Sequence, residues 1–227
     1  MTAEDDLARL EHLLNSRWSC RAFLPDAVPQ PLLDRVLAIA QRTASWCNSQ
    51  PWQLVITGPE TTEKFREALY THAQSGAQGT TDFPFPAEYR GIYLERRRDA
   101  GFKLYDAVGI GRKDMEGRQR QSLENFRFFG APYVAIITSD AALGPYGAVD
   151  CGGYVANFLL AAQAAGIAAV PQAAIAHYSD FVREYLEIPE DRRIVCAISF
   201  GYADPGHPAN SVHTTRAAVS DAVSYKK

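Results

Sequence analysis

The chain has 227 residues, a formal net charge of −3 and 47% apolar residues. That length buries a real core in one large domain or two small ones, and so balanced a charge gives no general pull toward nucleic acid or anionic membrane. No apolar run reaches the length that spans a bilayer, and the opening MTAEDDLARLEHLL is acidic and amphipathic, unlike a secretory or transit peptide, so a cytoplasmic location is expected.

Residues 4–16 read as a helix with Leu7, Leu10, Leu13 and Leu14 on one face. RWSCRAFLPDAVP follows as irregular chain or short strand, and Pro31 suits the first turn of a second helix that reaches about Thr43. QLVIT (53–57) predicts a buried strand stopped by Gly58-Pro59, and residues 60–75 predict a helix. Residues 76–90, GAQGTTDFPFPAEYR, predict a long functional loop. Residues 91–107 and 113–128 predict two charged helices, and YVAIITS (133–139) a strand. Residues 147–165 are apolar on every side, which predicts a helix buried in a core or an oligomer interface and closed by Gly166. IAAVPQAA predicts a short strand entering a loop, YSDFVREYL a helix, and RIVCAISFGYA a strand. Strands and helices mix without a βαβ rhythm, which points to an α+β fold.

Few residues carry an obvious chemistry. Cys20, Cys47, Cys151 and Cys196 show no CxxC or paired spacing, which argues against zinc and a disulfide framework. The five histidines have no ligand spacing, and no serine sits in a nucleophile elbow. GIGRKDMEG (109–117) lacks the third glycine and the preceding strand of a dinucleotide fingerprint, so it reads as a break between helices. RWSCR is more informative. An extended backbone would send Arg17, Ser19 and Arg21 to one side as an anion clamp, and HTTR (213–216) offers a second basic group. Asn48 and Gln50 in SWCNSQPW add amides suited to a heteroaromatic edge. Together these describe a site for a ligand both phosphorylated and aromatic.

Taken in order, RWSCRAF, ASWCNSQPW, NFRFFGAP, AVPQAA and the late TTR resemble the FMN-dependent nitroreductase family, in particular its nitrobenzoate- and nitroarene-reducing branch. The resemblance implies an α-β-α sandwich with a mainly antiparallel central sheet, one domain over 1–227 with a variable lid at about 76–120, and an intertwined homodimer with FMN at the subunit interface. NADH or NADPH would pass a hydride to flavin N5, and a small aromatic acceptor (a nitroarene, quinone or enone) would then take it in ping-pong turnover, with no side chain needed as acid or base. Neither nucleic acid nor membrane is an implied partner.

The resemblance also assigns residues. Arg17 and Ser19, with Trp18 between them, would hold the FMN phosphate and ribityl chain, and Arg21 would lie near the pyrimidine edge. Ser45, Trp46 and Asn48 would reach across the interface to the partner's flavin, with Trp46 replacing a usual small residue. Asn125 matches a ring-contacting asparagine. Pro171, Gln172 and Ala173 match the loop over the ring, where the Ala173 backbone N–H would reach N5. Thr214 and Arg216 match phosphate contacts, Thr214 standing where some relatives carry lysine. Phe83, Phe85, Tyr89, Phe102 and Tyr105 are lid aromatics placed to sandwich a substrate ring. Other readings are a flavin-fragmenting or reductively dehalogenating enzyme, a non-catalytic flavin-binding protein, and an interaction module whose arginines bind phosphate-containing partners.

Overall fold

In the computed structural model, which describes residues 2–226, four antiparallel strands form one sheet. They are β1 (Gln53–Thr57), β2 (Tyr133–Asp140), β3 (Ala168–Gln172) and β4 (Arg192–Gly201), in the spatial order β1-β2-β4-β3. Both faces are covered, as the nearly unbroken burial of β2 requires. On one face α2 (Gln30–Ala40) and α6 (Gly144–Ala164) bring Leu33, Val36, Tyr154 and Phe158 against Ala135, Ile137, Ile198 and Phe200. On the other, α3 (Pro59–Gln74) and α7 (Ser179–Tyr185) bring Phe65, Leu69 and Val182 against Val134, Ile136, Ile194 and Ala197. Each fully buried aromatic or aliphatic side chain contributes roughly 1.5–3 kcal/mol. The result is the expected α-β-α sandwich.

The alternation along β4 breaks once. Ile137 faces Cys196 while Thr138 faces Ile194, which leaves Val195 as the extra residue of a bulge. Val195 and Cys196 therefore both pack toward the α2–α6 side, and Ile194 and Ala197 both toward the α3–α7 side.

α1 (Ala3–Ser16) opens with a capping box in which Asp5 N–H donates to Thr2 Oγ1 and Thr2 N–H donates to Asp5 Oδ2, yet it buries no residue. Leu7, Leu10 and Leu14 stay exposed. The chain then runs beside the sheet: Cys20 N–H donates to Ala169 O at 3.2 Å and Leu24 N–H to Tyr202 O at 2.8 Å. This lays residues 17–24 along β3 and the exit of β4.

Most sequence-predicted elements appear within a few residues of their expected bounds, with one correction. The helix expected over 113–128 stops early. α5 covers Met115–Leu123, and a 3-10 segment continues over Glu124–Gly130 with Phe128 and Phe129 at φ 55° and 52°. Both rings are buried, so packing of the two phenylalanines holds a backbone conformation that neither prefers. Before it, α4 spans Gly91–Ala107 as expected. Residues 109–114 are the turn between the two, with Asp114 capping α5 through the Gly117 N–H at 2.7 Å.

The loop that precedes α4 is anchored around Thr80 and Asp82. The Asp82 side chain is buried and its carboxylate accepts from Arg183 Nη2 at 2.7 and 2.8 Å, from Arg193 Nη1 at 3.3 Å and from the Ile194 N–H at 2.7 Å. Thr80 N–H donates to His177 O at 2.8 Å beside it. Beyond Pro84 the segment is exposed up to α4.

Candidate active site

The two basic segments meet. Arg17, Trp18, Ser19 and Arg21 line a cavity of about 370 Å³ together with His213, Thr214, Thr215 and Arg216 from the far end of the chain. Asn210 joins the segments. Its Oδ1 accepts the Arg21 N–H at 2.7 Å, and its Nδ2 donates to Ala22 O at 2.9 Å and Asp204 O at 2.8 Å. No local pattern in the sequence marked Asn210, because its partners lie nearly two hundred residues away or in an irregular turn. Trp18 lies against the His213 ring at 5.6 Å and lines the cavity along with its alternate neighbours, so the segment is not the strictly two-sided strand expected of it.

The electrostatics suit an anion. Among the described residues, no carboxylate lines the cavity. Burial first, and then the neighbouring Arg216 charge, hold the Arg17 guanidinium below its ordinary value. Burial does the same to Arg21. The Trp18 indole N–H is buried without a hydrogen-bond partner among the described residues. Guanidiniums, hydroxyls and a spare N–H, crowded together without counter-charge, form a donor set that fits a phosphate ester.

Arg21 also lines a smaller cavity of about 230 Å³ with Tyr105, Gln121, Ser122, Asn125, Phe129, Val170 and Pro171. The predicted ring residues Asn125 and Pro171 are thus brought to the same guanidinium as the anion site. Gln172 behaves differently. Its side chain is 3% exposed and turned into the protein toward Asn125 and Ser199, away from any cavity. Ala173, next in the chain, is exposed and starts a 3-10 segment.

A third, wider cavity of about 670 Å³ opens beside Arg21 and is lined by Arg66, Arg120, Arg127 and His207, with Glu124 and Asp204. Arg66 is held by Arg127 O, Ala131 O and Glu63, and Arg127 pairs with Glu124 at 3.5 Å. Of the aromatics expected to form a lid, Tyr105 alone among the described residues reaches a cavity described above. Phe102 lies under Arg112 and Arg118, Tyr89 under Arg97, and Phe85 5.9 Å from the His177 ring.

Ser45, Trp46 and Asn48 are not brought to these cavities within the chain. They form a separate exposed turn, in which Ser45 Oγ accepts the Gln50 N–H at 2.9 Å and Asp150 accepts the Trp46 N–H at 3.2 Å. Trp46 is 63% exposed and packs on Tyr146 with ring centroids 4.9 Å apart. Cys47, Asn48 and Gln50 all have φ near +50°. Trp52 is the core anchor of this stretch, buried on Tyr154 and donating to Gln41 Oε1 at 3.0 Å.

With this arrangement in place, comparison with known proteins is decisive. The family model described as Nitroreductase family matches residues 14–202. The chain belongs to the nitroreductase family. Within it, the chain is 37% identical over 224 residues to nitroreductase NfnB of Mycolicibacterium smegmatis, covering 98% of this chain and 95% of that one. It is 32% identical to a 4-nitrobenzoate reductase of Pseudomonas putida, with 88% of each covered. Its fold is similar to the crystal structure of the FMN-dependent nitroreductase NfnB from Mycobacterium smegmatis in complex with NADPH, at a TM-score of 0.92 and 36% identity over 98% of this chain and all of that one. A family member from Sphigopyxis, described as FMN- and NADPH-dependent, gives a TM-score of 0.91 at 29% identity, covering 96% of this chain and 99% of that one. Among the described residues no helix is long and apolar enough to cross a membrane.

Proposed function

We propose that the protein is an FMN-dependent NAD(P)H oxidoreductase that reduces nitroaromatic acceptors of the nitrobenzoate kind, with quinones or enones as further acceptors. The observation that carries this reading is the Arg17–Arg21–Arg216 cavity, lined by no carboxylate among the described residues, which shares Arg21 with a second cavity beside Asn125 and Pro171. The names of its relatives, FMN- and NADPH-dependent nitroreductases and a nitrobenzoate reductase, point the same way.

Arg17, Arg216, Ser19, Thr214 and the Trp18 N–H would hold the FMN phosphate and ribityl chain, and Arg21, Asn125, Pro171 and the Ala173 backbone would meet the ring. Bound FMN supplies the two-electron chemistry between nicotinamide and acceptor. The chain's own part is to bind, orient and polarise. A guanidinium such as Arg21 at the ring favours negative charge there and so raises the ease of reduction. The wide basic cavity beside Arg21 is suited to the phosphates of the nicotinamide donor, with Arg120 the least committed of its cations: its contact to Glu116 is 3.8 Å between two exposed side chains. Residues 76–120 serve as the lid of a single domain, with Tyr105 its aromatic at the ring.

The working unit in this reading is a homodimer in the cytoplasm. Two apolar surfaces support it. α1 exposes Leu7, Leu10 and Leu14, and α6 exposes Tyr146, Val149, Gly152 and Ala156 at helical spacing, beside Trp46. The Ser45–Asn48 turn would then reach the partner's flavin.

The test is the visible spectrum of the purified protein under anaerobic conditions. A bound flavin that bleaches with NADH or NADPH and recovers with 4-nitrobenzoate is the expected result. A protein that takes up no FMN on reconstitution would overturn the reading, and a flavin that neither nucleotide reduces would leave flavin binding without turnover.

A further inference from the structure

Gln172 is an unusual residue to bury at the edge of a ligand site, and its contacts form a directed chain. In β3 and β4, Val170 faces Ser199 and Gln172 faces Ala197, so Ser199 and Gln172 are diagonal neighbours on one face of the sheet. The Gln172 amide bridges Ser199 Oγ on one side and Asn125 on the other, where Nε2 lies 2.9 Å from Asn125 O and 3.3 Å from Asn125 Oδ1. Asn125 Nδ2 in turn lies 3.0 Å from Ser122 O.

Two backbone carbonyls fix the polarity of this chain, because a carbonyl oxygen only accepts. Asn125 O obliges Gln172 to present its Nε2. The Gln172 Oε1 must then face Ser199, whose hydroxyl donates. Ser122 O likewise obliges Asn125 to present its Nδ2, which turns Asn125 Oδ1 toward Gln172. Turning the buried Gln172 amide over would set oxygen against carbonyl oxygen inside the protein, at a cost of roughly 1–3 kcal/mol for the unmet groups, and turning Asn125 over would set Oδ1 against Ser122 O at the surface and Nδ2 against Gln172 Nε2. After these bonds, one Asn125 N–H has no partner among the described residues. Arg21, in the same cavity, also only donates.

We propose that Ser199 and Gln172 are positioning residues that lock the Asn125 amide as a hydrogen-bond donor to the ring-side cavity, which thereby selects a ligand presenting an acceptor oxygen between Asn125 and Arg21. The inference rests on the reading of that cavity as a ring site. The oxygen belongs either to the flavin ring or to the electron acceptor, as a nitro or carboxylate oxygen, and the experiment separates the two.

The variants are Gln172→Met, which keeps the volume and removes both amide groups, Gln172→Glu, which keeps the shape and removes the N–H donor, Asn125→Ala, Ser199→Ala, and the double variant of Gln172→Met with Asn125→Ala. For each, FMN affinity is titrated by fluorescence, and KM and kcat are measured for 4-nitrobenzoate, with far-UV circular dichroism to confirm folding. Gln172→Met, Gln172→Glu and Asn125→Ala should each weaken one of the two readouts about tenfold. The double variant should be no worse than the weaker single, because the two residues act as one unit. Ser199→Ala should have a smaller effect in the same readout. Weakened FMN binding places the oxygen on the flavin. A raised KM with kcat and FMN affinity held places it on the acceptor. Wild-type values for Gln172→Met and Gln172→Glu, or additive losses in the double variant, would overturn the proposal. Failure of the wild-type protein to bind FMN would overturn the function first, before any variant is compared. A variant that does not fold is replaced by Ser199→Ala, for which an unchanged readout in a folded protein counts against the chain of contacts.

Discussion

The anion cavity and the Ser45–Asn48 turn are both built from polar residues and tryptophan, but one is finished within the chain and the other is not. In the cavity, residues from the two ends of the sequence are held by a buried amide and converge on one space. In the turn, Cys47, Asn48 and Gln50 sit in left-handed conformations, each costing on the order of 1 kcal/mol, and the adjacent indole of Trp46 faces outward. Strain at so exposed a turn fits the proposed reading, in which the turn meets a partner subunit. In the proposed reading, the difference teaches that half of the flavin site would be a property of the folded chain and half a property of the dimer.

Changes to each half should therefore separate. Arg17→Ala removes a guanidinium from the anion cavity, and FMN affinity measured by fluorescence titration should fall about thirtyfold with the oligomeric state unchanged, consistent with a charge-assisted hydrogen bond to phosphate. If affinity is unchanged, the cavity is not the phosphate site. Trp46→Ala acts on the unfinished half. It should weaken the dimer about tenfold in analytical ultracentrifugation, the scale of a buried aromatic anchor, and leave the secondary structure unaltered. A monomeric wild-type protein would break the comparison outright. Arg120→Ala tests the space beside the cavity: KM for NADPH should rise about fivefold, in line with loss of one exposed charge contact, with KM for the acceptor unchanged.

The smallest effect is on stability. Burial pushes the Cys20 and Cys151 thiols up to about 11 and Cys196 up to about 12, against an ordinary 9.0. The folded state then holds protons that the unfolded chain gives up above about pH 9, so stability is undiminished below that pH and falls as pH rises from 9 toward 11 and 12. The slope is at most about 1.4 kcal/mol per thiol per pH unit. Thermal melts at pH 7 and pH 10 should show a lower Tm at the higher pH, and replacing Cys196 with alanine should reduce that difference.

Much of this was readable from the sequence because it is periodic or local. QLVIT and YVAIITS are strands by composition and by their stops, and the Arg17–Ser19–Arg21 spacing did place three donors on one space. What was hidden depends on distant partners. Asp82 sits in a Gly- and Pro-rich stretch that reads as a long functional loop, and Arg183, Arg193 and the Ile194 N–H, a hundred residues on, make it an anchor. The helix through 113–128 has no proline or glycine at its break; packing of Phe128 and Phe129 into the core overrides local preference. Gln172 was expected at the ring by resemblance alone, and its inward turn follows from the diagonal register with Ser199, which no single strand encodes.

The Asp82 anchor has a consequence for how the family member can change. A segment clamped at its root and exposed beyond it behaves as a cantilever. Insertions, deletions or substitutions between Pro84 and Arg90 fall on the exposed side of the root, where Asp82 and Thr80 tie the segment to α7, β4 and His177 O, and should leave those ties in place. The stretch leading to α4 should therefore accept variation while the sheet keeps its shape, for as long as the Asp82–Arg183 pair and the Thr80 contacts at its root stand.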